Sequence, residues 1–148
     1  MRLQLALNVS DLEASIDFYS RMFGVQPYKV KPGYANWQID EPPLKLVIFE
    51  NKDAASGSIN HLGVETESAE EVVAAESRLA AAGLETTGID ETICCFAEKV
   101  ETWVKAPDGN RWEWYVKEKD HDTGRENTVI THREGAVALD EKAPACCG

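Results

Sequence analysis

Leu3-Gln4-Leu5-Ala6-Leu7-Asn8-Val9-Ser10-Asp11-Leu12-Glu13 decides how the chain is read, because it passes from one hydrophobic period to another in a single short stretch. Leu3, Leu5, Leu7 and Val9 alternate with strand period. Ser10 to Glu13 then read as a capping box, in which Ser10 accepts from an early helical N–H and Glu13 reaches back. Beyond it Leu12, Ile16, Tyr19 and Phe23 recur at helical spacing as one apolar stripe, and Gly24 supplies a left-handed stop. Three short strands are expected next, at 26–30, 34–39 and 44–49, separated by Lys31-Pro32-Gly33 and Pro42-Pro43.

The same order then returns. Residues 59–66 have a strand pattern, Ser68-Ala69-Glu70-Glu71 is a second capping box, and Val72, Ala75, Leu79 and Ala82 share a helical face that Gly83 ends. Strands are expected at 85–89, at 93–97 running on toward Trp103-Val104, and at 111–116 after the turn Pro107-Asp108-Gly109-Asn110. Asp-Gly between alternating apolar runs is a strong hairpin signal. Gln4 to Gly24 covers 20 positions and His61 to Gly83 covers 22, so both halves keep nearly one spacing. The reading is α+β: a domain over 1–117 built from two βαβββ modules, about 1–55 and 56–117, whose curled mixed sheet surrounds a metal-binding cavity. From 118 to 148 the apolar periodicity ends, and a flexible tail closing on Cys146-Cys147-Gly148 is expected.

A length of 148 residues fits one domain, and a hydrophobic fraction of 43% with 28% charged residues argues against disorder and membrane spans. Lys and Arg less Asp and Glu gives 15 − 26 = −11, a field that repels phosphate backbones and anionic headgroups. Neither nucleic acid nor a membrane is therefore expected as a partner. The apolar start meets Asp11 and Glu13 too early for a secretory leader, so a cytoplasmic protein is expected. The four cysteines fall as adjacent pairs, Cys94-Cys95 and Cys146-Cys147. Neighbouring cysteines are awkward to bridge to one another, so each pair reads as two free thiols able to grip a soft metal or metalloid.

Aligning the two opening strands superposes Gln4 on His61, and aligning the closing strands sets Leu46 against Glu113. The halves thus offer an amide, an imidazole, a carboxylate and one apolar position. Such a set suits a divalent first-row metal and leaves coordination sites open for water, dioxygen or substrate. Taken singly, His61 also reads as a hydrogen-bonded core histidine, Glu113 as the polar face between Trp112 and Trp114, and Gln4 as an ordinary strand glutamine. Only their match across the repeat raises them together.

These residues carry a resemblance to the vicinal oxygen chelate superfamily of glyoxalases, extradiol dioxygenases and bleomycin or fosfomycin resistance proteins. Residues 3–9, Lys31-Pro32-Gly33-Tyr34-Ala35-Asn36, Pro42-Pro43-Leu44-Lys45-Leu46-Val47, Asn60-His61-Leu62-Gly63-Val64-Glu65 and Thr92-Ile93-Cys94-Cys95-Phe96-Ala97 resemble one branch of it, the carbon-arsenic lyases and the cadmium-induced proteins. The resemblance implies an Fe(II)-dependent, non-haem dioxygenase that cleaves the C–As bond of trivalent organoarsenicals. Methylarsenite would then give arsenite and formaldehyde, with dioxygen as co-substrate. It implies Gln4, His61 and Glu113 as iron ligands and catalytic residues, Cys94 and Cys95 as the arsenic-binding thiols, and Cys146 and Cys147 as an accessory capture pair. The chain departs from many members at Glu101, nearest the place of a lysine that precedes the Val-Trp-Val stretch, and at Ala106-Pro107-Asp108-Gly109, where a Gly-Pro-Gly-Gly turn is usual.

Two rival readings use the same residues. A cadmium- or arsenic-induced sequestering protein would chelate the ion on its cysteine pairs and His61 without turnover, and it has no use for the open Gln4, His61 and Glu113 site as a whole. A glyoxalase-like isomerase or resistance protein leaves Cys94-Cys95 unexplained. A monomer or a homodimer fits every reading, because paired modules occur within one chain or are exchanged between two. Because successive side chains on a regular strand point to opposite faces, two thiols on one arsenic require irregular backbone, and 92–96 is expected to be a mobile loop.

Overall fold

The alternation at the start of the chain becomes β1 (Arg2–Val9), and the apolar stripe after it becomes α1 (Leu12–Phe23). The computed structural model describes residues 1–124 and 128–133. Two compact units divide the chain, one of residues 2–62 and one from Gly63 onward that also takes Met1.

In the first unit β2 (Lys29–Lys31), β3 (Tyr34–Ile39) and β4 (Leu44–Glu50) follow α1, in the sheet order β2-β3-β4-β1. β4 runs antiparallel to β3 and parallel to β1, as a crossover through a helix dictates. Leu12, Ile16, Tyr19 and Phe23 of α1 pack, half-buried, onto Val9, Ala35, Trp37, Ile39, Leu46 and Ile48, so the expected stripe is the face turned to the sheet. These α1 side chains are half-buried, so each contributes only part of the roughly 1.5–3 kcal/mol of a fully buried one, and together they hold α1 to its sheet. Helix capping falls one residue later than expected. Asp11, not Ser10, accepts the Ala14 N–H at 2.9 Å, because a carboxylate also answers the positive helix end. Ser10 instead meets the Ser56 hydroxyl at 3.2 Å. Gly24 ends α1 at φ +66, as its position predicts.

In the second unit β5 (Ile59–Glu65), whose first residues belong to the first unit, leads to α2 (Ala69–Ala81), β6 (Ile89–Cys94), β7 (Ala97–Lys105) and β8 (Arg111–Asp120). β9 (Thr128–Arg133) follows, and the order β8-β7-β6-β9 is antiparallel throughout. Ser68 accepts the Glu71 N–H at 3.4 Å while the Glu71 carboxylate reaches past it to the Glu67 N–H at 2.9 Å. Val72 of α2 lies in a core cluster with Ile89, Val100 and Val116. The two βαβββ modules of an α+β chain are therefore present, and their inner divisions differ from expectation in two places. Of the strand expected at 85–89, Thr86 makes one isolated bridge to Val104 and Ile89 opens β6 instead. The strand expected to run from 93 to 103 is folded back on itself at Cys95-Phe96.

The stretch expected to be a flexible tail from 118 onward begins as strand. β8 continues to Asp120, and β9 adds to the edge of β6 with a register shift between Glu91 and Thr92. Thr128-Val129-Ile130-Thr131 is β-branched, and without it β6 would present an unpaired edge. Cys146 and Cys147 lie outside the described residues. Among the described residues no helix is long and apolar enough to cross a membrane.

Candidate active site

Gln4 and His61, on the two opening strands, are brought together. Their Nε2 atoms lie 3.0 Å apart, and both side chains are buried, at 2% and 1% exposure. The Gln4 amide nitrogen can only donate, so His61 Nε2 is the accepting nitrogen and Nδ1 carries the proton. That proton points at Asn60 Oδ1, 2.8 Å away; Asn60 donates to Asn8 Oδ1 at 3.0 Å, and Asn8 donates to the Ser58 hydroxyl at 3.0 Å. This chain of amides fixes the tautomer that leaves Nε2 as the nitrogen lone pair a metal uses. Sequence reasoning passed over Asn8 and Asn60. Asn60 stands next to His61, and Asn8 shares the alternation of Gln4, which is the signal that finds them.

Glu113 is fully buried on β8 of the second unit. Lys99 Nζ donates to its Oε1 at 3.0 Å and lies 3.9 Å from Glu101 Oε2. Register explains the cluster. Trp103 faces Glu113, Glu101 faces Tyr115, Thr92 faces Lys99 and Asp90 faces Glu101, so Asp90, Thr92, Cys94, Lys99, Glu101, Trp103, Glu113 and Tyr115 share one face of β6-β7-β8. On the opposite face Arg78 of α2 lies over the Trp114 ring, at 5.8 Å from its centroid. Lys99 also sits 4.5 Å from the centre of the Tyr115 ring. Lys99 is the residue that sequence reading missed as a site group, though Lys99, Glu101 and Trp103 alternate along β7 as an inward row would; Glu101 stood out in the sequence only as a departure from the family pattern.

Burial pushes the Glu101 carboxyl up to about 7; the Lys99 charge opposes this, Glu113 and Asp90 add to it, and the Trp103 Nε1 hydrogen bond at 3.1 Å opposes it again. Burial pulls Lys99 down, but Glu113, Cys95 and Glu101 outweigh it and hold the ammonium well above its ordinary range. A carboxyl whose folded value lies above its unfolded one near 4.5 stabilises the fold at low pH, and loses that contribution as pH rises from about 4.5 through about 7. Metal-free Glu101→Gln is therefore expected to melt above wild type at pH 8, by roughly 1–3 kcal/mol, with the difference shrinking toward pH 5. Thermal unfolding at the two pH values checks it, and an equal difference at both would show that Glu101 does not titrate in this window.

The closing-strand alignment is corrected by one residue. Leu46 belongs to the apolar core beneath α1, whereas Lys45 is the register partner of Gln4 and lies buried beside it on β4. A period of two turns a one-residue offset into the opposite face.

Cys94 ends β6 and Ala97 opens β7, so Cys95 and Phe96 are the two central residues of a tight hairpin, both left-handed at φ +54 and +60. Neither is glycine, and each such conformation costs on the order of 1 kcal/mol or more. The turn brings Cys94 Sγ and Cys95 Sγ to 3.1 Å, which a straight strand would forbid. The irregular backbone expected here is thus a buried hairpin, and Thr92 to Cys94 belong to β6 rather than to a loop. The expectation of two free thiols also needs correction: Cys94 is disulfide-bonded, whereas Cys95 takes no part in a disulfide. Residues 121–124 clamp the turn, with the His121 N–H on the Phe96 carbonyl at 2.8 Å and the Phe96 N–H on the Gly124 carbonyl at 3.2 Å. A Cβ on Gly124, at φ +94, would meet Ile93 Cγ2 at 2.5 Å. Gly124→Ala is expected to destabilise by roughly 1–3 kcal/mol, read as a lowered thermal midpoint; an unchanged midpoint would show that the clamp does not hold the turn.

Two βαβββ modules, each with a donor-bearing first strand or last strand, define a class of protein. Residues 3–114 match the Glyoxalase/Bleomycin resistance protein/Dioxygenase superfamily, and the chain belongs to that family. Over 99% of both chains it is 45% identical to a trivalent organoarsenical cleaving enzyme of Thermomonospora curvata. It is 53% identical to the cadmium-induced protein CadI of Mycobacterium bovis over 82% of this chain and 80% of that one. Among solved structures, the Mn(II)-bound glyoxalase of Novosphingobium aromaticivorans shares the fold at a TM-score of 0.58 and 19% identity, over 82% of this chain and 41% of that one.

Proposed function

We propose that this chain is a carbon-arsenic lyase acting on trivalent organoarsenicals such as methylarsenite, with Fe(II) as its metal and dioxygen as co-substrate, in the cytoplasm. The observation that carries the reading is the donor set: a buried imidazole held in the Nε2-accepting tautomer beside a buried amide, with a buried carboxylate on the other module's closing strand. Oxygen and nitrogen donors of this kind fit a borderline first-row divalent ion, and the thiols of Cys94 and Cys95 fit trivalent arsenic. Full-length similarity to an enzyme named for organoarsenical cleavage favours the same substrate.

Under this reading Gln4, His61 and Glu113 would hold Fe(II), which when bound supplies the binding and activation of dioxygen. Gln4 would turn its amide to present oxygen, since its nitrogen has no lone pair to offer. Asn60 keeps the His61 proton on Nδ1. Cys94 and Cys95 would hold arsenic through sulfur, with Cys94 freed by a thiol reductant such as glutathione. The burial of Glu113, Glu101 and Cys94 excludes bulk water from that face.

Anaerobic loading with Fe(II), then addition of methylarsenite, a thiol reductant and air, is expected to yield arsenite, read by arsenic speciation. Arsenite formed equally without Fe(II) would overturn the metal assignment. Retention of the arsenical with no product at all would favour sequestration.

A further inference from the structure

We propose that Lys99 is a built-in competitor of the metal, a positioning residue that neutralises Glu113 in the metal-free chain and passes to Glu101 when a divalent ion takes the carboxylate. The proposal rests on the reading of Glu113 as a metal ligand. Three observations in the second unit support it. Lys99 Nζ is at hydrogen-bond distance from Glu113, 3.0 Å, and at 3.9 Å from the nearer oxygen of Glu101, so about an ångström of movement exchanges one acid for the other. Lys99, Glu101 and Glu113 are all buried, so neither acid can draw on bulk water for its neutralisation. The Trp103 indole N–H fixes Glu101 through Oε1, the oxygen not facing Lys99, which keeps Oε2 as the receiving atom.

Charge makes the exchange necessary. A divalent ion on Glu113 repels an ammonium 3 Å from the same carboxylate, and in a buried place that repulsion is weakly screened. Glu101 gives the displaced ammonium a counter-ion without taking it to solvent.

The test is Mn(II) titration of the metal-free full-length chain, with free Mn(II) read by electron paramagnetic resonance. Lys99→Met is expected to bind Mn(II) about tenfold more tightly than wild type, because the competitor is gone. Glu101→Gln is expected to bind about tenfold more weakly, because Lys99 then has no second acid and stays on Glu113. In the Lys99→Met background the Glu101→Gln loss should shrink to a small residue. The same loss in both backgrounds would show Glu101 acting only through its charge and would overturn the exchange, as would unchanged or weaker binding in Lys99→Met. Should Lys99→Met not fold, the single Glu101→Gln variant decides, and unchanged affinity there overturns the proposal. Glu113→Gln separates the two levels. If it leaves Mn(II) affinity at the wild-type value, the ligand assignment and the exchange both fall; if it abolishes binding while Lys99→Met binds no more tightly, the exchange alone falls.

Discussion

With Gln4, His61 and Glu113 holding Fe(II) as proposed, Glu113→Gln and His61→Ala are each expected to lower the rate of C–As cleavage by about three orders of magnitude and to strip the chain of Fe(II). The size follows from what a bound metal contributes. Losing its charge stabilisation removes several kcal/mol, and roughly 4 kcal/mol is a factor of a thousand. Glu113→Gln keeps the side-chain volume and removes only the charge, so the buried position is not left as a void. Lys99, which donates to Glu113, retains Glu101 within 3.9 Å, so the fold should survive the change. His61→Ala leaves Asn60, and behind it Asn8 and Ser58, without the imidazole whose Nδ1–H donates into their chain and whose Nε2 lone pair the proposed metal would use. Gln4→Ala is expected to weaken Fe(II) binding less, because a neutral amide is the weakest donor of the three. Iron content measured beside thermal unfolding checks all three. A folded Glu113→Gln protein with full iron content would remove the carboxylate from the ligand set.

Cys94→Ser and Cys95→Ser are each expected to eliminate methylarsenite binding and turnover while leaving Fe(II) content at the wild-type level. Trivalent arsenic is soft and prefers thiolate sulfur, whereas a hydroxyl is hard and is not ionised near neutral pH. The hairpin sets the two sulfurs 3.1 Å apart, so one arsenic can reach both. Because Cys94 is disulfide-bonded, binding by wild type should depend on prior reduction. Titration with methylarsenite with and without a thiol reductant reads this directly. Equal binding by both serine variants would take the cysteines out of substrate recognition, and binding that ignores reductant would assign capture to Cys95 alone.

The sequence by itself determined the modules, because hydrophobic period and helix stops are local. Leu12, Ile16, Tyr19 and Phe23 packed on the expected face, and Gly24 and Asp108-Gly109 turned where they were expected to turn. It determined the pairing of Gln4 with His61 as well, since equal spacing in two copies of one unit puts equivalent positions on equivalent strands. Local signals did not place the fold-back at Cys95-Phe96. Neither residue favours a positive φ, and the turn stands because β6 and β7 pair on both sides of it and residues 121–124 bond to it from beyond β8. Nor did they place β9, whose β-branched run needed the edge of β6 to become a strand. Only the tertiary structure decided the surroundings of Glu113. A carboxylate between two tryptophans reads the same whether it faces water or a buried ammonium, and the difference is made by β7, which lays Lys99 and Glu101 alongside it in a register that depends on pairing between strands rather than on any neighbour in the chain.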